Sequence, residues 1–79
     1  MAADQRAAEV RAFEAAAKAK LGTWESVESA AILVLACPTN PESRRLLAAA
    51  ETAAEGLKAG TWDSVRALAW LAKARRELA

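Results

Sequence analysis

Histidine and tyrosine are absent from this 79-residue sequence, and cysteine, methionine and phenylalanine occur once each. Without histidine, the commonest general base and metal ligand is missing. A single thiol, Cys37, closes no disulfide within the chain and builds no cysteine-based zinc site. It lies near the end of a predicted helix, where the dipole disfavours a thiolate, so it is expected to be a small buried apolar residue. Charge of one sign is scarce too: 11 basic and 10 acidic residues leave a net charge of +1. A nucleic-acid binder carries a basic excess on one face. Here only Arg44–Arg45 and the stretch 73–76 cluster, and both are expected to be solvated helix ends. The longest apolar run, AAILVLAC at 30–37, is far shorter than the ~20 residues that span a bilayer. The opening MAADQRAAEV lacks the apolar centre of a signal peptide. A soluble, cytoplasmic location without a membrane partner is expected. No glycine-rich phosphate motif and no metal-ligand spacing occur, so no cofactor is expected. Carboxylates stand at helical spacing from cations, as in Glu14 and Lys18, which supports helices rather than acid–base chemistry. The sequence reads as non-enzymatic.

What is plentiful is alanine. Apolar residues make up 54% of the chain, yet aromatics only 5%, namely Phe13, Trp24, Trp62 and Trp70. Alanine is the best helix former and fills little space, so helices form readily and approach closely. A chain of this length buries about 60–65% of its unfolded surface, and one small domain over residues 1–79 is expected.

The phrase GTWESV at 22–27 returns as GTWDSV at 60–65, a shift of 38 residues. Under that shift Arg6 falls on Arg44, Lys20 on Lys58, Ala31 on Ala69, Leu33 on Leu71 and Ala36 on Ala74. Matches so dispersed suggest two copies of one supersecondary unit. Each phrase reads as a stop, a cap and a restart. Gly22 and Gly60 suit the left-handed position after a helix, Thr23 and Thr61 are N-caps, and Glu25 and Asp63 sit in the first turn, where the dipole favours them. In the segment PTNP at 38–41, Pro38 ends a helix, Asn40 caps the next and Pro41 takes its first turn. Helices are predicted at about 4–21, 24–37, 41–58 and 62–78, with Gly56 inside the third, and no strand pattern occurs. The expected fold is all-α, a four-helix bundle of two stacked αα-hairpins, with hairpin one at 4–37, a linker at 38–40 and hairpin two at 41–78.

Projection at about 100° per residue assigns each helix an inner face. The first turns Val10, Phe13, Ala17 and Leu21 inward, with Ala8, Ala12, Ala15 and Ala19 as a second, small-residue stripe. The second points Trp24, Val27, Ala30, Ala31 and Val34 inward, and the third Leu46, Leu47, Ala50, Ala53, Ala54 and Leu57. The fourth is expected to bury Trp62, Val65, Leu68, Ala69 and Ala72. Helices two and four then hold a surplus at matched positions: Ile32, Leu33 and Ala36 on one, Ala67, Trp70, Leu71 and Ala74 on the other. A merged apolar patch with a polar rim marks an interaction site, and an exposed tryptophan is a typical anchor. These seven residues are the candidate protein-binding site. The leading reading is a module that docks its helix-two and helix-four face on another protein. The alternatives are a self-associating homodimer and a bundle holding a small apolar ligand around Trp24 and Trp62.

The caps GTWESV and GTWDSV, the NPES start at 40–43 and the filler in RRLLAAAETAAEGL and AKARRELA make the chain resemble computationally designed helical mini-protein binders. That resemblance implies a recombinant, soluble protein that docks on a target. The W-x2-LG-x2-Y pattern of tetratricopeptide repeats does not occur.

Overall fold

Each repeated phrase folds into a capping box. Thr23 is extended, and its Oγ1 accepts the Ser26 N–H at 3.1 Å while Ser26 Oγ accepts the Thr23 N–H at 3.1 Å. Thr61 and Ser64 make the same exchange at 3.3 and 3.1 Å. Such reciprocal bonds satisfy donors that the first helical turn leaves open. They start α2 (Trp24–Ala36) and α4 (Trp62–Leu78). The computed structural model describes the backbone of residues 2–79 and the side chains from residue 5 onward. With α1 (Ala2–Lys18) and α3 (Ser43–Glu55), the chain is all-helical, with four helices and no strand among the described residues.

Helices α1 and α3 end at Lys18 and Glu55, earlier than the predicted 21 and 58. Gly56 is the reason in α3: it is the C-cap rather than an interior residue, and the N–H groups of Gly56 and Leu57 reach the carbonyls of Ala53 and Ala54 at 3.1 and 3.2 Å. Such tighter turns close a helix end. Of the two loop glycines, only Gly60 takes a positive φ, +119°; the left-handed expectation for Gly22 is not met. Asn40 organises the entry to α3 from outside the helix. Its Oδ1 accepts the Glu42 N–H at 2.8 Å, and Pro41 and Glu42 form a turn before the helix begins at Ser43. The buried Ser43 hydroxyl donates to the Cys37 carbonyl at 2.5 Å, which satisfies both groups.

The centre of the fold is α2. It packs most extensively on α4, then on α3, and α3 packs on α4. Val27, Ala30, Ala31 and Val34 of α2 are buried with Leu47, Ala50 and Ala54 of α3 and Ala67, Leu71, Ala74 and Leu78 of α4. Alanines along these seams let the helices approach closely. The faces expected of α2 and α3 are the ones that pack. Arg66 Nε donates to the Glu28 carboxylate at 2.9 Å, tying α4 to α2, and Arg75 pairs with Glu51, tying α4 to α3. Exposed pairs of this kind add about 0–1 kcal/mol each.

Two expectations fail. Helix α4 turns the opposite side inward: Ser64, Ala67, Leu71, Ala74 and Leu78 are buried, whereas Trp62, Val65 and Leu68 are exposed and Ala69 and Ala72 lie at the surface with them. Both stripes have helical spacing, and the alanine-rich one wins because it admits α2 at close range. Helix α1 also contributes less than expected. Val10 and Ala17 are exposed, Phe13 and Leu21 only half-buried, and α1 packs extensively on no other helix among the described residues. An open cleft separates it from α2.

Candidate functional site

The α4 surface stripe begins at the capping box. Because Thr61 fixes the first turn, Trp62 projects from N1 with 84% of its surface exposed. Val65 and Leu68, three and six residues on, follow at 51% and 42%. They occupy one side of the helix, and Ala69 and Ala72 continue that side. A shallow groove of about 370 Å³ borders it, lined by Leu68, Leu71, Ala72 and Arg75 from α4 and Glu51, Ala54 and Glu55 from α3.

The seven residues assigned from the sequence are divided by the fold. Ile32 is exposed, at 42%, and so is Ala36. Trp70 is half-buried against the core, with Lys73 Nζ 5.9 Å from its ring centroid. Ala67, Leu71 and Ala74 are buried in the α2–α4 seam, Leu71 keeping only a small edge at the groove. Leu33 is half-buried, and its side chain lines the cleft between α1 and α2. The matched surpluses therefore do not merge into one patch, since the seam itself consumes the α4 half.

The α1/α2 cleft encloses about 570 Å³ and has mostly apolar walls. Ala12 and Ala16 of α1 face Ser26, Ser29 and Leu33 of α2 across it, and Leu46 of α3 adds to the lining. Lys20 and Glu25 stand at the end near the capping box. Elsewhere on α1, Glu9 accepts from Asn40 Nδ2 at 2.6 Å, which holds α1 to the α2–α3 turn. Cys37 stands beside that contact and is half-buried rather than buried as expected. Partial burial pushes its thiol pKa up, and the Glu9 carboxylate pushes the same way.

The two tryptophans of the repeated phrase differ sharply in surroundings. Trp24 Nε1 donates to the Lys58 carbonyl at 2.9 Å and the ring packs on the core. Trp62 stands in solvent.

No protein-family model, curated protein or solved structure matches the chain. Function must therefore be read from the surfaces themselves. The stripe that the sequence reading missed as a site is the one it placed in the core. No described helix is long and apolar enough to cross a membrane.

Proposed function

We propose that this chain is a non-enzymatic protein-docking module and that the outer face of α4, with Trp62 as anchor beside Val65 and Leu68, is its docking surface. The observation that carries the reading is the 84% exposure of Trp62 at the head of a continuous apolar stripe. Contiguous apolar surface on a small protein marks interaction sites, and tryptophan is the side chain most enriched among binding anchors. Ile32 and Ala36 form a secondary apolar spot on α2. The site is thus shifted from the α2–α4 seam to the opposite side of α4.

The two units related by the 38-residue shift, α1–α2 and α3–α4, are read as consecutive helical repeats. The stripe Trp62, Val65, Leu68, Ala69 and Ala72 is then the second copy of Trp24, Val27, Ala30, Ala31 and Val34. The first copy is covered by α3 and α4, and the second is bare. The lone thiol is held towards its protonated form, which disfavours a nucleophilic role for Cys37.

Photo-crosslinking tests the reading. Benzoylphenylalanine placed at position 62 or 65 in the expressing cell is expected to give discrete adducts. The same residue at Arg44, exposed on α3, should give none. Equal labelling from both faces, or none from either, would overturn the docking assignment.

A further inference from the structure

The bare stripe on α4 and the cleft between α1 and α2 are complementary, and we propose that a second copy of the chain joins them, α4 of one molecule seating in the α1/α2 cleft of the next. This rests on the reading of the α4 face as a docking surface. The same joint is already built once inside the molecule. There Val27, Ala30, Ala31 and Val34 of α2 are buried with Leu47, Ala50 and Ala54 of α3 and Ala67, Leu71, Ala74 and Leu78 of α4. Shifted forward by 38 residues, the α2 set becomes Val65, Leu68, Ala69 and Ala72, the surface stripe. Shifted back by 38, the receiving set becomes Glu9, Ala12, Ala16, Ser29, Leu33, Ala36 and Asn40; four of the seven, Ala12, Ala16, Ser29 and Leu33, line the cleft, and Glu9 and Asn40 are hydrogen-bonded to each other.

The polar contacts transfer in the same sense. Trp24 Nε1 donates to the Lys58 carbonyl. Its equivalents are Trp62, whose indole is exposed, and Lys20, which stands at the cleft. Glu28 and Arg66, paired at 2.9 Å, lie 38 residues apart and so occupy the same place in successive units. A second copy stacked in this way sets its Glu28 against Arg66 of the first and continues a ladder of alternating charge. Leu35 and Leu47, both packed in the core within the chain, have Lys73 and Glu9 as equivalents, which carry opposite charges. Ala30 and Val34 become Leu68 and Ala72, so bulk moves one turn along the stripe, and the open cleft has room for it.

Because stripe and cleft are different surfaces, the contact is head-to-tail and does not close on itself. Heterologous contacts of this kind build open chains unless the rotation closes a ring.

Sedimentation equilibrium of the full chain over a range of concentrations, with two variants at exposed positions, tests this. Val65→Asp blocks the stripe and Ser29→Arg blocks the cleft, and far-UV melts check that both remain folded. Wild type is expected to give a series extending beyond twice 8.4 kDa. Each variant alone should weaken association about tenfold or more. An equimolar mixture retains one intact stripe and one intact cleft, and should recover a species that stops at the heterodimer. Wild type that stays at 8.4 kDa throughout overturns the inference. So does self-association that the mixture fails to restore, since it indicates a two-fold contact between like faces. In either case the docking reading is judged separately by the crosslinks, where adducts to a different protein from position 62 would sustain it.

Discussion

Leu68 and Leu71 lie one turn apart on α4 and are the same side chain in opposite surroundings, which makes them a direct test of how that helix is turned. Leu71 is 6% exposed and packs among Ala67, Ala74 and the α2 stripe; Leu68 is 42% exposed. Truncating a buried leucine to alanine costs about 2–5 kcal/mol, the larger values arising where neighbours cannot collapse into the hole. Around Leu71 the neighbours are mostly alanines on helices already in close contact, with few rotamers to relax, so about 3 kcal/mol or more is expected. At Leu68 much of the lost surface already faces water, and the change should stay below about 1 kcal/mol. A domain of this length has only about 4–12 kcal/mol of total stability. One kcal/mol moves the melting midpoint by about 4–8 °C in so small a domain, so Leu71→Ala should lower it by roughly 12–24 °C. Thermal melts followed by far-UV circular dichroism at low micromolar concentration measure this. Urea titrations should show an unchanged m-value, which keeps the comparison two-state. If Leu68→Ala proved as costly as Leu71→Ala, α4 would be rotated from the orientation described here, and the exposed stripe would be lost with it.

The two tryptophans of the repeated phrase should respond unequally to phenylalanine: Trp24→Phe loses the bond to the Lys58 carbonyl and about 0.5–1.5 kcal/mol, while Trp62→Phe, at 84% exposure, should leave a dilute melt unchanged. Gly60→Ala places a side chain at φ +119° and should destabilise by about 1 kcal/mol or more, although nothing stands near the new methyl. Gly22→Ala meets open space without a positive φ and should be neutral or slightly stabilising in the same urea titration. The Cys37 thiol, raised by burial and Glu9, should react with iodoacetamide along a pH profile displaced upward from that of the urea-unfolded chain, and Glu9→Gln should move the profile back down. By linkage its stabilising contribution is full below the free-thiol pKa and disappears as pH rises through the raised one. Superposable profiles for folded and unfolded chains would contradict the placement of Glu9 beside it.

Reading the sequence succeeded where one stripe dominated. In α3 the leucines and alanines fall on one side and charges on the other, so Leu47, Ala50 and Ala54 were assignable. In α2 the order Val27, Ala30, Ala31, Val34 left little choice. The caps were legible because Thr–Trp–acid–Ser has few other uses. In α4 two stripes met the same spacing rule, and residue size favoured the wrong one: Trp62, Val65 and Leu68 carry more apolar area than Ala67 and Ala74. The shift by 38 residues reinforced the error. It set the α4 stripe level with the α2 stripe, which is buried, but burial is a property of neighbours, and the neighbours that cover α2 have no equivalent over α4 within these residues. The candidate site inherited the mistake, keeping Ile32 and Ala36 at the surface and placing Ala67, Leu71 and Ala74 there too.

The stand-off of α1 has its origin in three exchanges between the units. Where α3 and the loop after it carry Leu46, Leu47 and Leu57, α1 and the loop after it carry Ala8, Glu9 and Ala19 at the equivalent positions. Each leucine reduced to alanine withdraws three carbons from the seam, at about 0.8 kcal/mol for each one fully buried. The glutamate would cost energy if enclosed without a partner. Helix α1 therefore gains little by closing on α2, and Glu9 keeps its partner, Asn40, at the edge instead. Asn40 is itself the equivalent of Leu78, which is buried at the end of the α3–α4 unit. Two leucines that seal the receiving side of the second unit are thus a hydrogen-bonded polar pair in the first. The same exchanges that deny α1 a tight seat keep the cleft open, and an open cleft on one surface with a bare stripe on another is what the proposed end-to-end stacking of copies requires.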